Sequence, residues 1–111
     1  MVSWVKTDTS IVVVEDPLVG RLVHSVLGRR GFHVQERSPE TALDLLCAAP
    51  HPNVVITNQP QLFVHLANMI GMIYMAACPD DWVAASFPRC RVLHKPFHPR
   101  DLLDAVEALL E

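Results

Sequence analysis

The chain has 111 residues, 50% of them apolar and 19% charged, and its net charge is −3. One domain of this length buries roughly 60–70% of its unfolded surface, so it needs no disulfide or metal staple, and the composition is not that of a disordered chain. Arg29-Arg30 is the one basic doublet, which argues against a nucleic-acid surface, because such surfaces need clustered Lys and Arg.

Met1 to Ser10 holds no apolar stretch of the kind a signal peptide needs, and a cytoplasmic location is expected. Cys47, Cys78 and Cys90 are odd in number and form no C-x-x-C pair. They read as small buried hydrophobes in a reducing compartment. Ser10 to Val14 is a nearly continuous β-branched run, suited to a strand buried on both faces of a parallel sheet. Asp16 then makes a good helix N-cap and Pro17 a good first helical residue. Leu18, Leu22 and Val26, with Val19, Val23 and Leu27, recur at helical spacing and form one apolar stripe. Arg29-Arg30 suits the negative end of that helix, and Gly31 stops it.

Phe32 and Val34 alternate with His33 and Gln35, the pattern of a half-exposed edge strand. Ser38-Pro39-Glu40 opens a second helix whose buried face is Ala42, Leu43, Leu45 and Leu46, and Pro50-His51-Pro52 breaks it. Val54-Val55-Ile56 is a third strand. No Asp, Glu, Lys or Arg occurs between Asn53 and Pro79. Leu62 to Cys78 has the length of a short membrane span. His65, Asn68 and Gly71 interrupt it, however, and Pro60 and Pro79 flank it. The better reading is a short helix from Gln61 to Asn68 running into a buried strand, Met72 to Met75, with no membrane association. A brief fourth helix follows from Pro79 to Ser86. The fifth strand is Arg91 to His94. A last helix starts at Pro99, with Leu102, Leu103, Val106, Leu109 and Leu110 as its stripe.

Alternating strands and helices imply a doubly wound parallel sheet with helices on both faces. Strands one, three and four are apolar throughout, whereas two and five carry polar residues. That places two and five at the edges and gives the order 2-1-3-4-5. In such a sheet ligands bind beyond the carboxyl ends of the strands at the topological switch point, here between strands one and three. Glu15 and Asp16 follow strand one, Thr57-Asn58 strand three, Ala76-Ala77 strand four and Lys95 strand five. Taken singly, Glu15-Asp16 is a helix cap and Lys95-Pro96 a turn. Taken together, acids beside a lysine at matching strand ends suit a magnesium and phosphate pocket.

Val12-Val13-Val14-Glu15-Asp16, then Val54-Val55-Ile56-Thr57 with Asn58, then Lys95-Pro96-Phe97, resemble the three signature segments of the response-regulator receiver family of two-component signalling. The segment from Leu18 to Gly31 is also similar, and the resemblance spans nearly the whole chain. It implies a flavodoxin-like fold over residues 10–111, with 1–9 as an N-terminal extension, and this chain's third and fourth helices are shorter than the family's. It also implies phosphotransfer from a histidine kinase to an aspartate after strand three, with Mg²⁺ held by that aspartate and the acidic pair. A Ser or Thr after strand four would bind the phosphoryl group, and an aromatic on strand five would turn inward.

This sequence departs from that pattern where it matters. The acceptor position is Asn58, a neutral amide and no nucleophile. The Ser/Thr position is Ala76, and Val92 stands at the aromatic position. Glu15, Asp16 and Lys95 persist, leaving weak Mg²⁺ binding at most and no other cofactor. Lys95 is expected to pair with Asp16 or with the Asn58 carboxamide.

The leading reading is an atypical, non-enzymatic receiver acting by phosphorylation-independent protein–protein interaction. Its partner would be a histidine kinase or other signalling protein. A homodimer would use the face of the fourth helix, fifth strand and fifth helix, with polar contacts from Arg89, Arg91, Arg100, Asp101 and Asp104. A second reading is a phosphorylatable receiver using another carboxylate, such as Asp16. A third is a structural adaptor or dimerisation domain, in which Leu62, Phe63, Leu66, Met69 and Ile70 expose an apolar patch.

Overall fold

Five strands line up in parallel: β1 (Ser10–Val14), β2 (His33–Glu36), β3 (Asn53–Thr57), β4 (Ile70–Ala76) and β5 (Cys90–His94). Their order is β2-β1-β3-β4-β5, as the hydropathy of the strands required. The computed structural model describes residues 10–48 and 53–110. The N-terminal extension and the expected helix break at Pro50-His51-Pro52 lie outside the described residues. Among the described residues four α-helices accompany the sheet: α1 (Pro17–Gly28), α2 (Pro39–Ala48), α3 (Asp81–Ala84) and α4 (Pro99–Leu110). The predicted third helix is a 3-10 helix, Pro60–Leu66, and the predicted fourth helix is the single turn of α3.

Alternation along the strands divides the core in two. Ile11, Val13, Val54 and Ile56 face one layer with Val23 and Leu27 of α1 and Leu102 and Val106 of α4. Val12, Val14, Val55 and Met72 face the other, with Ala42 and Leu46 of α2 and Phe63 of the 3-10 helix. A buried run such as Ile11 to Val14 is thus apolar at every position because both faces are covered.

The helix signals act as expected. Asp16 Oδ1 accepts from the backbone N–H of Leu18 (3.0 Å) and Val19 (3.2 Å). Gly31 takes a φ of 90°, and the chain turns back as Phe32 N–H donates to Leu27 O (3.2 Å). A side chain would be strained there.

Three expectations need correction. The α1 stripe is not buried as a whole. Val23 and Leu27 are in the core, but Leu18 is 78% and Leu22 44% exposed. The first turn of α1 begins past the end of β1 and overhangs the sheet. Leaving one leucine in water forgoes roughly 1.5–3 kcal/mol of burial. The apolar patch expected on the third helix does not form, because Phe63, Leu66 and Ile70 are buried and only Met69 of the larger apolar group stands out. Pro60, Phe63 and Leu66 recur every three residues and all face inward, which matches a three-residue turn better than an α-helix. Finally, Cys47 and Cys78 are exposed and Cys90 is half-buried. Cys47 lies on the outer face of α2, and Cys78 in the loop after β4.

The segment Leu62 to Cys78 contains the end of the 3-10 helix and all of β4, and no helix among the described residues is long and apolar enough to cross a membrane. At the far end of the sheet, the Arg89 guanidinium donates to Leu109 O (2.7 Å) and closes the C-terminus of α4.

Two outcomes follow from this packing. Arg89→Ala removes a charge-assisted cap and should cost about 1 kcal/mol in urea unfolding; an unchanged midpoint would show that water replaces it. Burial pushes the Cys90 thiol up from its ordinary value, against a smaller opposing effect of Arg91. Under limiting iodoacetamide near neutral pH, mass spectrometry should therefore find Cys47 and Cys78 alkylated before Cys90.

Candidate functional site

Val14 at the end of β1 is in register with Thr57 at the end of β3. The next residues, Glu15 and Asn58, therefore leave adjacent strands on either side of the switch point. Ala76 ends β4, and Lys95 N–H donates to its carbonyl (2.9 Å), which ties the start of the β5–α4 loop to the same edge. The positions singled out in the sequence thus share one end of the sheet.

The centre of this edge is an ion pair. Lys95 Nζ lies 3.0 Å from Glu15 Oε2; the Glu15 side chain is 0% exposed and that of Lys95 27%. Glu15 Oε1 accepts from the Asp16 backbone N–H (3.1 Å). The expected partner of Lys95 was Asp16 or Asn58, and the structure corrects this to Glu15. The reason is local: Asp16 Oδ1 is held by two backbone N–H groups at the start of α1. A fully buried carboxylate is viable only when paired, and Lys95 supplies the pairing.

Asn58 is exposed at the head of a tight turn, where Gln59 N–H donates to Thr57 Oγ1 (3.0 Å) and buried Thr57 anchors the bend. Ala76 is partly buried and brings no hydroxyl. Phe97 packs against the core beneath α1 and α4. Val92 stands beside Tyr74 in register, so the aromatic here belongs to β4 and not to β5. The sequence reading missed Tyr74. Its Oη accepts from Asp80 N–H (3.1 Å), fixing the β4–α3 loop. The signal was present: a lone tyrosine inside a buried strand needs a partner for its hydroxyl.

Mg²⁺ takes near-octahedral oxygen ligands, and part of the acidic pair is already engaged. One Glu15 oxygen faces an ammonium and the other a backbone N–H, while Asp16 Oδ1 caps a helix. No group of three His, Cys, Asp or Glu side chains that could hold a metal occurs among the described residues. Beside the ion pair runs an open groove of about 450 Å³ lined by Val19, Leu22, Ala77, Lys95, Pro96 and Phe97.

The pair is testable by removing one partner and then both. Lys95→Met strands the Glu15 carboxylate and should cost about 2 kcal/mol in urea unfolding, below the fully buried case because water reaches the lysine. Glu15→Gln/Lys95→Met should recover most of that loss, since the amide still accepts from Asp16 N–H. A single variant as stable as the parent would mean that the pair contributes nothing.

No family model matches the chain, and no curated protein matches it either. Solved structures do. A chemotaxis response regulator of Vibrio cholerae is similar at a TM-score of 0.73 and 14% identity, over 91% of this chain and 97% of that one. A two-component response regulator from Clostridium difficile is similar at 0.72 and 16% identity, over 92% and 94%. The signal receiver domain of an HD domain-containing protein from Pseudomonas fluorescens is similar at 0.73 and 16% identity, over 99% and 91%. The chain has the flavodoxin-like fold of response-regulator receiver domains.

Proposed function

We propose that this chain is an atypical receiver domain of two-component signalling that acts by binding a partner protein and is not phosphorylated at position 58. The observation that carries the reading is Asn58, placed across the switch point from Glu15 where the receiver resemblance expects an aspartate. A carboxamide is neutral and its nitrogen lone pair is delocalised, so it does not attack a phosphohistidine. Ala76 offers no hydroxyl to a phosphoryl group, and Lys95 is already engaged by Glu15.

In this reading the domain is a binding module and not an enzyme, and it requires no metal ion. Its partner is a histidine kinase or another signalling protein. The surface of α3, β5 and α4 is the face offered for effectors or a homodimer. Arg91, Arg100 and Asp104 are exposed there, whereas Arg89 is engaged with Leu109 O and Asp101 Oδ2 accepts from His98 N–H (3.1 Å). Phosphorylation of Asp16 instead is disfavoured, because two backbone hydrogen bonds to Oδ1 at the helix cap stabilise its carboxylate and lower its nucleophilicity.

The test is a mass measurement after incubation with acetyl phosphate and Mg²⁺. The parent chain should gain nothing, while Asn58→Asp should gain about 80 Da, one phosphoryl group, in a hydroxylamine-labile bond. Stoichiometric labelling of the parent would end the proposal, and its loss in Asp16→Asn would identify the alternative acceptor.

A further inference from the structure

We infer that this chain associates head to tail with a second copy of itself, the Trp82 side chain of one copy seated in the α1 groove of the next. Trp82 on α3 is 78% exposed, and Asp80 and Asp81 flank it. An indole left in water on a one-turn helix is an unusual surface feature, and tryptophan is a typical anchor of contacts between proteins. The groove beside α1 is apolar and of a size to admit an indole. Leu18 and Leu22 extend it across the outer face of the helix, where they stand uncovered.

Charge favours the same match. From Pro17 to Arg30 the chain carries Arg21, Arg29 and Arg30 and no acid. Arg21 lies on the outer face between Leu18 and Leu22. Lys95 at the groove is neutralised by Glu15, and His24 on α1 is paired with Glu36 (3.0 Å). Asp16 at the start of α1 and Asp80 at the start of α3 are each held by cap bonds, so Arg21 is the charge nearest the apolar residues that remains to meet Asp81. Knob and groove do not meet within one chain, since Trp82 is exposed and does not line the groove. The core beneath α1 lies on one face of the sheet, and Ala84 of α3 packs against the core on the other.

One indole and two leucines bury less area than a stable dimer needs, so the contact is weak and reversible. Each copy carries one knob and one groove, which makes the interface heterologous, and growth does not stop at two chains.

Sedimentation velocity of the full chain, over a series reaching about 1 mM, where even a weak contact is half occupied, reads this directly. The average mass should rise past that of a dimer. Trp82→Ala and Leu22→Glu should each weaken association by about tenfold or more. An equal mixture of the two should stop at two chains, since it joins one intact knob to one intact groove. If Leu22→Glu disturbs folding, Arg21→Glu, an exposed charge reversal, replaces it. A monomer at every concentration would overturn the proposal, as would a dimer that persists in either variant alone. The latter would point to a symmetric face, and neither result bears on phosphorylation at position 58.

Discussion

Glu15 and Lys95 directly follow β1 and β5, which are separated in the sheet by β3 and β4. Three strand spacings amount to roughly 14 Å, a span that two long side chains cross only by extending toward each other over the ends of the intervening strands. Their 3.0 Å contact therefore lies across the edge that carries Asn58 and Ala76. The carboxylate is fully buried, so the interaction is less a bonus than a requirement: without the ammonium, Glu15 would be an uncompensated charge. The β5–α4 loop is held in place twice, by this pair and by Lys95 N–H on Ala76 O.

That constraint explains why a neutral amide at position 58 is compatible with a buried acid beside it. With one carboxylate pointed at one ammonium, the pocket is balanced. An aspartate at 58 would add a second claim on Lys95 and a repulsion of Glu15 that a bound cation normally relieves. The neutral amide removes both. Exposed Asn58 and partly buried Ala76 bring neither a carboxylate nor a hydroxyl to the strand ends. The Tyr74 hydroxyl fixes the neighbouring loop independently of any such group.

Much of the architecture was legible because its causes are local or periodic. Runs such as Val54 to Ile56 are apolar at every position only when both faces are covered, which fixed the interior strands and hence the order of the sheet. Asp16-Pro17 and Gly31 mark the limits of α1 by capping chemistry alone. What escaped the reading depended on distance in space. The division of the α1 stripe is decided by where the helix overhangs the sheet. The partner of Lys95 is decided by Asp16 being used at a cap. The 3-10 helix was readable from Pro60, Phe63 and Leu66, but a period of three is easily taken for a short α-helix. Cysteine exposure was misjudged because a residue-type tendency was applied where position decides.

Among the described residues the exposed large apolar side chains are Val64 and Met69 around the 3-10 helix, Leu18 and Leu22 on α1, and Trp82 on α3. Leu18, Leu22 and Trp82 are left in water on elements whose other apolar side chains pack normally, Val23 and Leu27 on α1 and Ala84 on α3. A stable fold does not require this, since polar residues at those positions would serve the monomer equally well. Local rules fail most often where a surface serves something outside the domain. The strand-end charges are paired with each other, while the apolar surface beside them has no partner among the described residues. In this chain the unspent interaction energy of the fold therefore lies on its helices rather than at the strand-end pocket.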